Sequence, residues 1–133
     1  MSSENLNNNP RIIVVQKLYS HFLNKESELI YPKHRYKKFI KDTVSGTIER
    51  EEHLLDSLKV ILKDEFNPAR TDLILKLMIL SATFELMFSH KTPVNVIVSE
   101  YVKISDFFLE NAHKGYLNAI LDKVSKNVRK NVE

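Results

Sequence analysis

Cysteine is absent from this 133-residue chain, and only two glycines and four prolines occur. Without cysteine there can be no disulfide, no thiolate zinc site and no cysteine nucleophile. Scarce glycine and proline leave few turn signals, and no segment alternates apolar and polar residues as a strand does. These absences favour an all-α chain of helices joined by short connections, in a reducing compartment.

The composition fits one compact domain, because 43% of the residues are apolar and 28% are charged. Residues 1–9 are polar, contain no signal-peptide pattern and are predicted to be a disordered tail, so that residues 10–133 form the domain. The most apolar segment, Leu73–Phe88, is too short for a bilayer and is interrupted by Lys76 and Glu85. We therefore expect a soluble, cytoplasmic protein that does not bind membranes.

Apolar periodicity predicts five helices and a short helical turn within residues 25–33, about six helical segments in all. The first begins at Asn9 and Pro10, a capping residue followed by a first-turn proline, and ends at Asn24. The next helix is predicted over residues 34–64, with a bend at Gly46. It is followed by a helix over residues 73–88, capped by Thr71 or Asp72. Two more helices follow, one that begins at Thr92 and Pro93 and one that begins at about His113. Because residues 73–88 are apolar on every side, that helix should be the central one.

The net charge of +3 permits nucleic-acid binding without requiring it. The cations form two clusters in the sequence: Lys33, Arg35, Lys37, Lys38 and Lys41, and then Lys123, Lys126, Arg129 and Lys130. The first cluster also contains Tyr36 and Phe39, a mixture of bases and aromatics that suits contact with RNA. Lysines on one helix face are also common where that face is simply solvated.

Two patterns could carry catalysis, and both are better explained structurally. Glu110 and His113 have the spacing of a di-iron bundle motif, but such a site needs two copies and two further glutamates, so we predict no metal site. Glu85 and Glu100 lie among apolar neighbours and could form an acid–base pair. No nucleophile or cofactor motif accompanies them, which favours carboxylates that accept hydrogen bonds from hydroxyls or helix ends.

Four blocks, in the same order and at similar spacing, resemble the NusB family of transcription antitermination factors. Residues 11–19 are similar to the family's RxxAVQALY, and residues 78–86 resemble its ILRxxxYEL helix. Residues 92–101 look like (D)xPxxVxINEY, and residues 115–123 look like GFVNGVLDK. Together these blocks extend over nearly the whole chain.

The resemblance implies an all-α fold of two roughly perpendicular helical bundles and a role without catalysis or cofactor. Members of the family bind the boxA element of nascent single-stranded RNA together with NusE, a small-subunit ribosomal protein. The pair joins the transcription elongation complex and helps RNA polymerase pass terminators, notably on ribosomal RNA operons. The same role is expected here.

The resemblance also implies site residues. Arg11 falls on the last arginine of the family's basic N-terminal motif, and Tyr116 and Asn118 take the places of the phenylalanine and asparagine of FVNG. Lys17 and Lys114 flank these positions and complete the predicted RNA site. We expect Arg11 to be terminal and exposed, so that Arg11→Glu would weaken RNA binding without loss of helicity.

The family's protein partner docks at the start of the central helix, which corresponds here to Asp72 and Leu75. Both residues are therefore predicted to contact the partner.

Several family positions are changed. Residues 7–10 read Asn-Asn-Asn-Pro in place of an arginine cluster, and Leu80, Ser99 and Ala119 replace an arginine, an asparagine and a glycine. The lost arginines leave open a second interpretation, a protein–protein interaction module on the NusB fold that no longer binds RNA. A third is the related helical domain of ribosomal RNA methyltransferases, which would require a separate catalytic domain.

Overall fold

A computed structural model of the chain describes residues 8–129. Within that range it contains six α-helices and no strand: α1 Pro10–Leu23, α2 Lys37–Glu49, α3 Glu51–Leu62, α4 Leu73–Phe88, α5 Val94–Phe108 and α6 Asn111–Val128. Two short 3₁₀ turns, Lys63–Glu65 and Pro68–Arg70, connect α3 to α4. The all-α prediction is confirmed. Most of the predicted tail, residues 1–7, and Lys130 lie outside the described residues.

Helix α1 begins where its sequence signals predict. The Asn9 side-chain oxygen accepts a hydrogen bond from the backbone N–H of Arg11 at 2.9 Å. Pro10 occupies the first turn, where its missing N–H would have had no intrahelical partner. The cap therefore satisfies one of the donors that a helix start leaves open.

Helix α4 is the centre of the molecule. All ten residues from Leu77 to Leu86 are buried, and α4 packs against each of the other five helices. Helices α1 and α2 contact each other and α4, while α5 and α6 do the same farther along the chain. The prediction of a central helix is confirmed, since a helix that is apolar all round requires neighbours on every side.

The prediction of one long helix over residues 34–64 is wrong. The chain leaves helical geometry at Arg50, which separates α2 from α3. In an unbroken helix, at about 100° per residue, Leu54 would point about 80° away from Val44. The break re-aims α3, so that both residues are buried in the same core. The Arg50 guanidinium carbon lies 4.7 Å from the centre of the Phe88 ring, which helps to hold this corner.

Gly46 does not mark the bend, although the sequence suggested that it would. It lies inside α2, where its backbone faces the Phe84 ring of α4. A β-carbon at this position would lie 2.2 Å from Cζ of Phe84. Glycine therefore permits the close approach of α2 to α4.

Arg129, one of the cations clustered near the C-terminal end of the sequence, is buried. Its guanidinium donates hydrogen bonds to backbone carbonyls around the end of α4, at 2.6 Å to Leu86, 2.9 Å to Ser89 and 2.8 Å to Thr92. A cation is favoured there because the last carbonyls of a helix carry partial negative charge. The hydrogen bonds of Arg129 thus connect the end of α6 to the end of α4.

Candidate functional site

Arg11 forms a buried ion pair with Glu85. Its Nε and Nη2 atoms donate to the two carboxylate oxygens at 3.0 and 2.6 Å. The Tyr101 hydroxyl donates to the same carboxylate at 2.5 Å. Only 8% of Arg11 and none of Glu85 is exposed, so the network joins α1, α4 and α5 inside the protein.

The network explains why Glu85, one of the two carboxylates with apolar neighbours in the sequence, can be buried. Glu85 accepts a hydroxyl and two guanidinium hydrogen bonds, which confirms the structural interpretation of this residue. Burial, followed by the charge of Glu85, raises the pKa of Tyr101 well above its usual value. Glu100 is only half-buried, and its carboxylate lies 3.9 Å from Nη1 of Arg11.

Arg11 lies in the first turn of α1, as expected, but it is buried and not exposed. Its partner Glu85 lies 74 residues away in the sequence, so no local pattern revealed the burial. Burial alone lowers the pKa of Arg11, but the hydrogen bonds and the charge of Glu85 outweigh it, and the net pKa is raised. Arg11→Glu would place two carboxylates together in the core, and we expect it to unfold the domain rather than spare the helix.

Tyr116 lies beside both residues that were expected to meet the protein partner. It lines an open cavity of about 250 Å³ together with Arg70, Thr71, Asp72, Leu75 and His113. The Tyr116 hydroxyl donates to the backbone carbonyl of Glu65 at 2.6 Å, which fixes the ring against the 3₁₀ turn after α3. Burial and the nearby charge of Glu65 raise the pKa of Tyr116 above its usual value.

The two expected partner contacts differ in what they present at this cavity. Asp72 is exposed at the start of α4, whereas Leu75 is only 4% exposed and belongs to the core. Of the two, Asp72 is therefore the one whose side chain is accessible. Arg70, which sequence analysis did not single out, is exposed on the same rim, and its position depends on the path of the turn rather than on any local motif.

The other predicted RNA contacts lie elsewhere on the surface. Asn118 is exposed in a groove of about 670 Å³ between α5 and α6, which Asn95, Ser99 and Lys103 also line. Lys114 forms an ion pair with Asp106, and Lys17 is half-buried on α1. Arg11 and Tyr116 line different cavities, so the structure does not bring the five residues together in one cavity.

The Glu110–His113 pair lies at the start of α6, where the Glu110 carbonyl accepts a hydrogen bond from the His113 backbone N–H at 3.0 Å. Both side chains are exposed. Between residues 8 and 129, no three histidine or carboxylate side chains are grouped closely enough to hold a metal ion. Nor does any helix in that range have the length and apolar character to cross a membrane.

Comparison with known sequences relates most of the chain to one family. The profile of the NusB family matches residues 8–126. The chain is 27% identical to the transcription antitermination protein NusB of Sphingopyxis alaskensis, over 90% of this chain and 92% of that protein. It is 32% identical to the corresponding protein of Rhodopseudomonas palustris, over 83% of this chain and 65% of that protein. For Mesorhizobium japonicum the identity is 35%, over 65% of this chain and 56% of its relative.

Comparison with solved structures identifies the fold. The chain is similar to NusB of T. maritima with a TM-score of 0.81, and the match covers 93% of this chain and 94% of that one. Sequence identity in this match is 19%. The arrangement of six helices is therefore that of a solved NusB structure.

Proposed function

The chain belongs to the NusB family, and from that premise we propose that it acts in transcription antitermination. In this role it holds boxA-type single-stranded RNA beside a small-subunit ribosomal protein, NusE, so that RNA polymerase passes terminators. The observation that carries the proposal is the cavity in which Tyr116, Arg70 and Asp72 meet.

The chemistry of this cavity suits two ligands at once. An aromatic ring can stack on a base, and a guanidinium can bind the adjoining phosphate. The exposed carboxylate of Asp72, at the start of α4, can accept hydrogen bonds from N–H donors on a protein surface. RNA and a protein partner bound here would lie side by side, which favours binding of each in the presence of the other.

The remaining residues are proposed to extend the RNA path. Lys17 and Lys114 would neutralise phosphates, and the exposed amide of Asn118 can both donate and accept hydrogen bonds at a base edge. Arg11 would act indirectly, since its guanidinium is engaged by Glu85 and fixes the start of α1.

A binding titration tests the proposal. Fluorescently labelled boxA-type RNA is titrated with the protein alone and with the protein plus the ribosomal partner, alongside a scrambled RNA of the same composition. We expect boxA-type RNA to bind more tightly than scrambled RNA, and most tightly with the partner present. Equal affinity for the two RNAs under both conditions would refute the proposal.

Two substitutions at Tyr116 separate the ring from its hydroxyl. Tyr116→Ala removes the ring and should weaken RNA binding about fivefold or more, the usual effect of losing one base–aromatic stack. Tyr116→Phe keeps the ring and loses only the hydrogen bond to Glu65, so RNA affinity should be close to that of the unsubstituted protein.

Asp72→Lys should weaken binding of the ribosomal protein, measured by calorimetry in the absence of RNA.

The same measurements decide the alternative function. If the unsubstituted protein binds the ribosomal protein but no RNA, it is a protein–protein interaction module.

A further inference from the structure

The segment between α1 and α2 and the first turns of α2 carry a dense positive charge, which we call the lysine patch: Lys33, Arg35, Lys37, Lys38 and Lys41. All five side chains are exposed. Within residues 8–129, one of the five forms an ion pair, Lys38 with Asp42 at 2.6 Å. The lysine patch is therefore a surface of net positive charge, and the proposed cavity around Tyr116 does not include it.

The lysine patch is fixed to the start of α1. The Tyr36 backbone N–H donates to Nδ1 of His34 at 2.9 Å, which leaves the proton on Nε2. That Nε2 then donates to the backbone carbonyl of Asn8 at 2.7 Å. Asn8, Asn9 and Pro10 carry no charge and Arg11 is paired with Glu85, so the lysine patch supplies exposed cations beside the start of α1.

A cavity of about 330 Å³ lies next to the lysine patch and is lined by Pro10, Arg11, Tyr36, Phe39, Thr92 and Glu100. Tyr36 stands at its edge with 48% of its surface exposed. The Arg35 guanidinium carbon lies 5.5 Å from the centre of the Tyr36 ring. An exposed ring and a neighbouring cation provide a surface on which a flat, electron-rich group can stack.

The charged groups inside the cavity are already paired, which helps to select the ligand. The Arg11 guanidinium is engaged by Glu85 and is not free to bind a phosphate, whereas a nucleobase could donate its N–H groups to the Glu100 carboxylate. The lysines outside would attract phosphates. A ligand with alternating bases and phosphates satisfies both requirements, and only an unpaired strand leaves its bases free to enter.

We propose that the lysine patch, together with Tyr36, is a second single-stranded RNA-binding surface, on which phosphates contact the lysines and a base stacks on the tyrosine. The inference rests on the proposed function, since it assumes that the protein meets RNA. It differs from that function in its location and in the residues that it requires.

The phosphate contacts are tested with the triple substitution Lys33→Gln, Lys37→Gln and Lys41→Gln. Each phosphate contact on a single strand contributes about 0.7 to the slope of log affinity against log salt concentration, so three contacts contribute about 2.1. Affinity falls by some factor between 50 and 200 mM salt. That factor should be about 18 times smaller for the triple variant than for the unsubstituted protein. The probe is a 20-nucleotide boxA-type RNA, with the ribosomal partner present.

The matched control is Lys59→Gln, which removes an exposed lysine on α3. It should leave the salt slope unchanged. Helicity measured by circular dichroism should be the same for all variants, because every substituted lysine is exposed.

The stacking contact is tested with Tyr36→Ala and Tyr36→Phe. We expect Tyr36→Ala to weaken binding of RNA about fivefold or more and Tyr36→Phe to leave it nearly unchanged. An abasic strand of the same length should bind the Tyr36→Ala variant and the unsubstituted protein equally, since it has phosphates but no bases.

The outcomes separate this inference from the proposed function. If the protein binds boxA-type RNA but the triple variant keeps the full salt slope, the lysine patch is not an RNA surface and the proposed function stands. If the unsubstituted protein binds no RNA, both are wrong. Binding to phosphatidylserine vesicles is measured alongside. If the triple substitution abolishes vesicle binding but leaves RNA binding and its salt slope unchanged, the lysine patch binds membranes and the inference is wrong.

Discussion

The buried ion pair between Arg11 and Glu85 yields the sharpest prediction about stability. Arg11→Met removes the cation but keeps a long side chain that can still pack against Phe39, whose ring centre lies 4.8 Å from the guanidinium carbon. The Glu85 carboxylate then remains fully buried, with the Tyr101 hydroxyl as its hydrogen-bond donor. The variant thus isolates the effect of leaving a buried charge without its opposite charge.

The expected loss is large relative to the stability of a domain of this size. Breaking a buried ion pair by removing one partner costs about 3–5 kcal/mol. Domains of this kind are stable by roughly 5–15 kcal/mol, so the variant should still fold at room temperature but with a much smaller margin. In urea the loss corresponds to a shift in the unfolding midpoint of about 2 M.

Urea unfolding followed by circular dichroism at the helical band measures this loss. Lys38→Met serves as the control because it breaks the exposed ion pair with Asp42 and should cost less than about 1 kcal/mol. The triple substitution Arg11→Met, Glu85→Leu and Tyr101→Phe replaces the whole network with apolar groups and should recover most of the lost stability. A cost below about 1 kcal/mol for Arg11→Met would show that the buried Glu85 carboxylate does not depend on the guanidinium.

Four further predictions concern single positions. Gly46→Ala should destabilise the protein by about 1–2 kcal/mol in urea, because the new methyl group would meet the Phe84 ring, and this outweighs the better helix propensity of alanine. Thr47→Val should stabilise it by about 1 kcal/mol, because the Thr47 hydroxyl is buried and has no hydrogen-bond partner within residues 8–129; a loss would indicate a hidden partner. Lys63→Gly should raise the melting temperature, since Lys63 has a φ of 51°, which costs a non-glycine residue about 1 kcal/mol or more. Above about pH 10 the unfolded state loses the Tyr101 proton while the folded state, with its raised pKa, retains it. Stability should therefore fall as pH rises there, and Tyr101→Phe should reduce that fall by up to about 1.4 kcal/mol per pH unit.

Local sequence signals predicted the parts of the fold that depend on neighbouring residues. The start of α1 follows from a capping asparagine and a first-turn proline, which act within a single turn of helix. The central position of α4 follows from its apolar residues, since burial on every side is the only favourable solution for such a helix.

The corner between α2 and α3 could not be predicted in the same way. An apolar pattern with steps of three and four tolerates a shift of one residue. Continued from Val44 and Ile48 it passes through Leu55, whereas Leu54 is the fully buried residue. The break depends on contacts between Arg50 and the rings of Phe84 and Phe88, more than thirty residues away. Such contacts leave no periodic signal.

Burial of Arg11 was the main error at the candidate site. Nothing in the sequence indicated that Arg129 is buried either, since cations are usually exposed. Their partners are Glu85 and the backbone carbonyls at the end of α4, both distant in sequence. The meeting of Tyr116 with Asp72 likewise depends on the path of the turn that precedes α4.

Transcription in vitro measures antitermination itself. RNA polymerase, the ribosomal partner and the protein are combined on a template that carries a boxA-type element before a terminator, and the fraction of full-length transcript is measured. We expect the protein to raise read-through on this template, a scrambled element to abolish the effect, and Tyr116→Ala to reduce it while Tyr116→Phe does not. If read-through is unchanged by the protein, with the partner present and both shown to be folded, the protein does not act in antitermination.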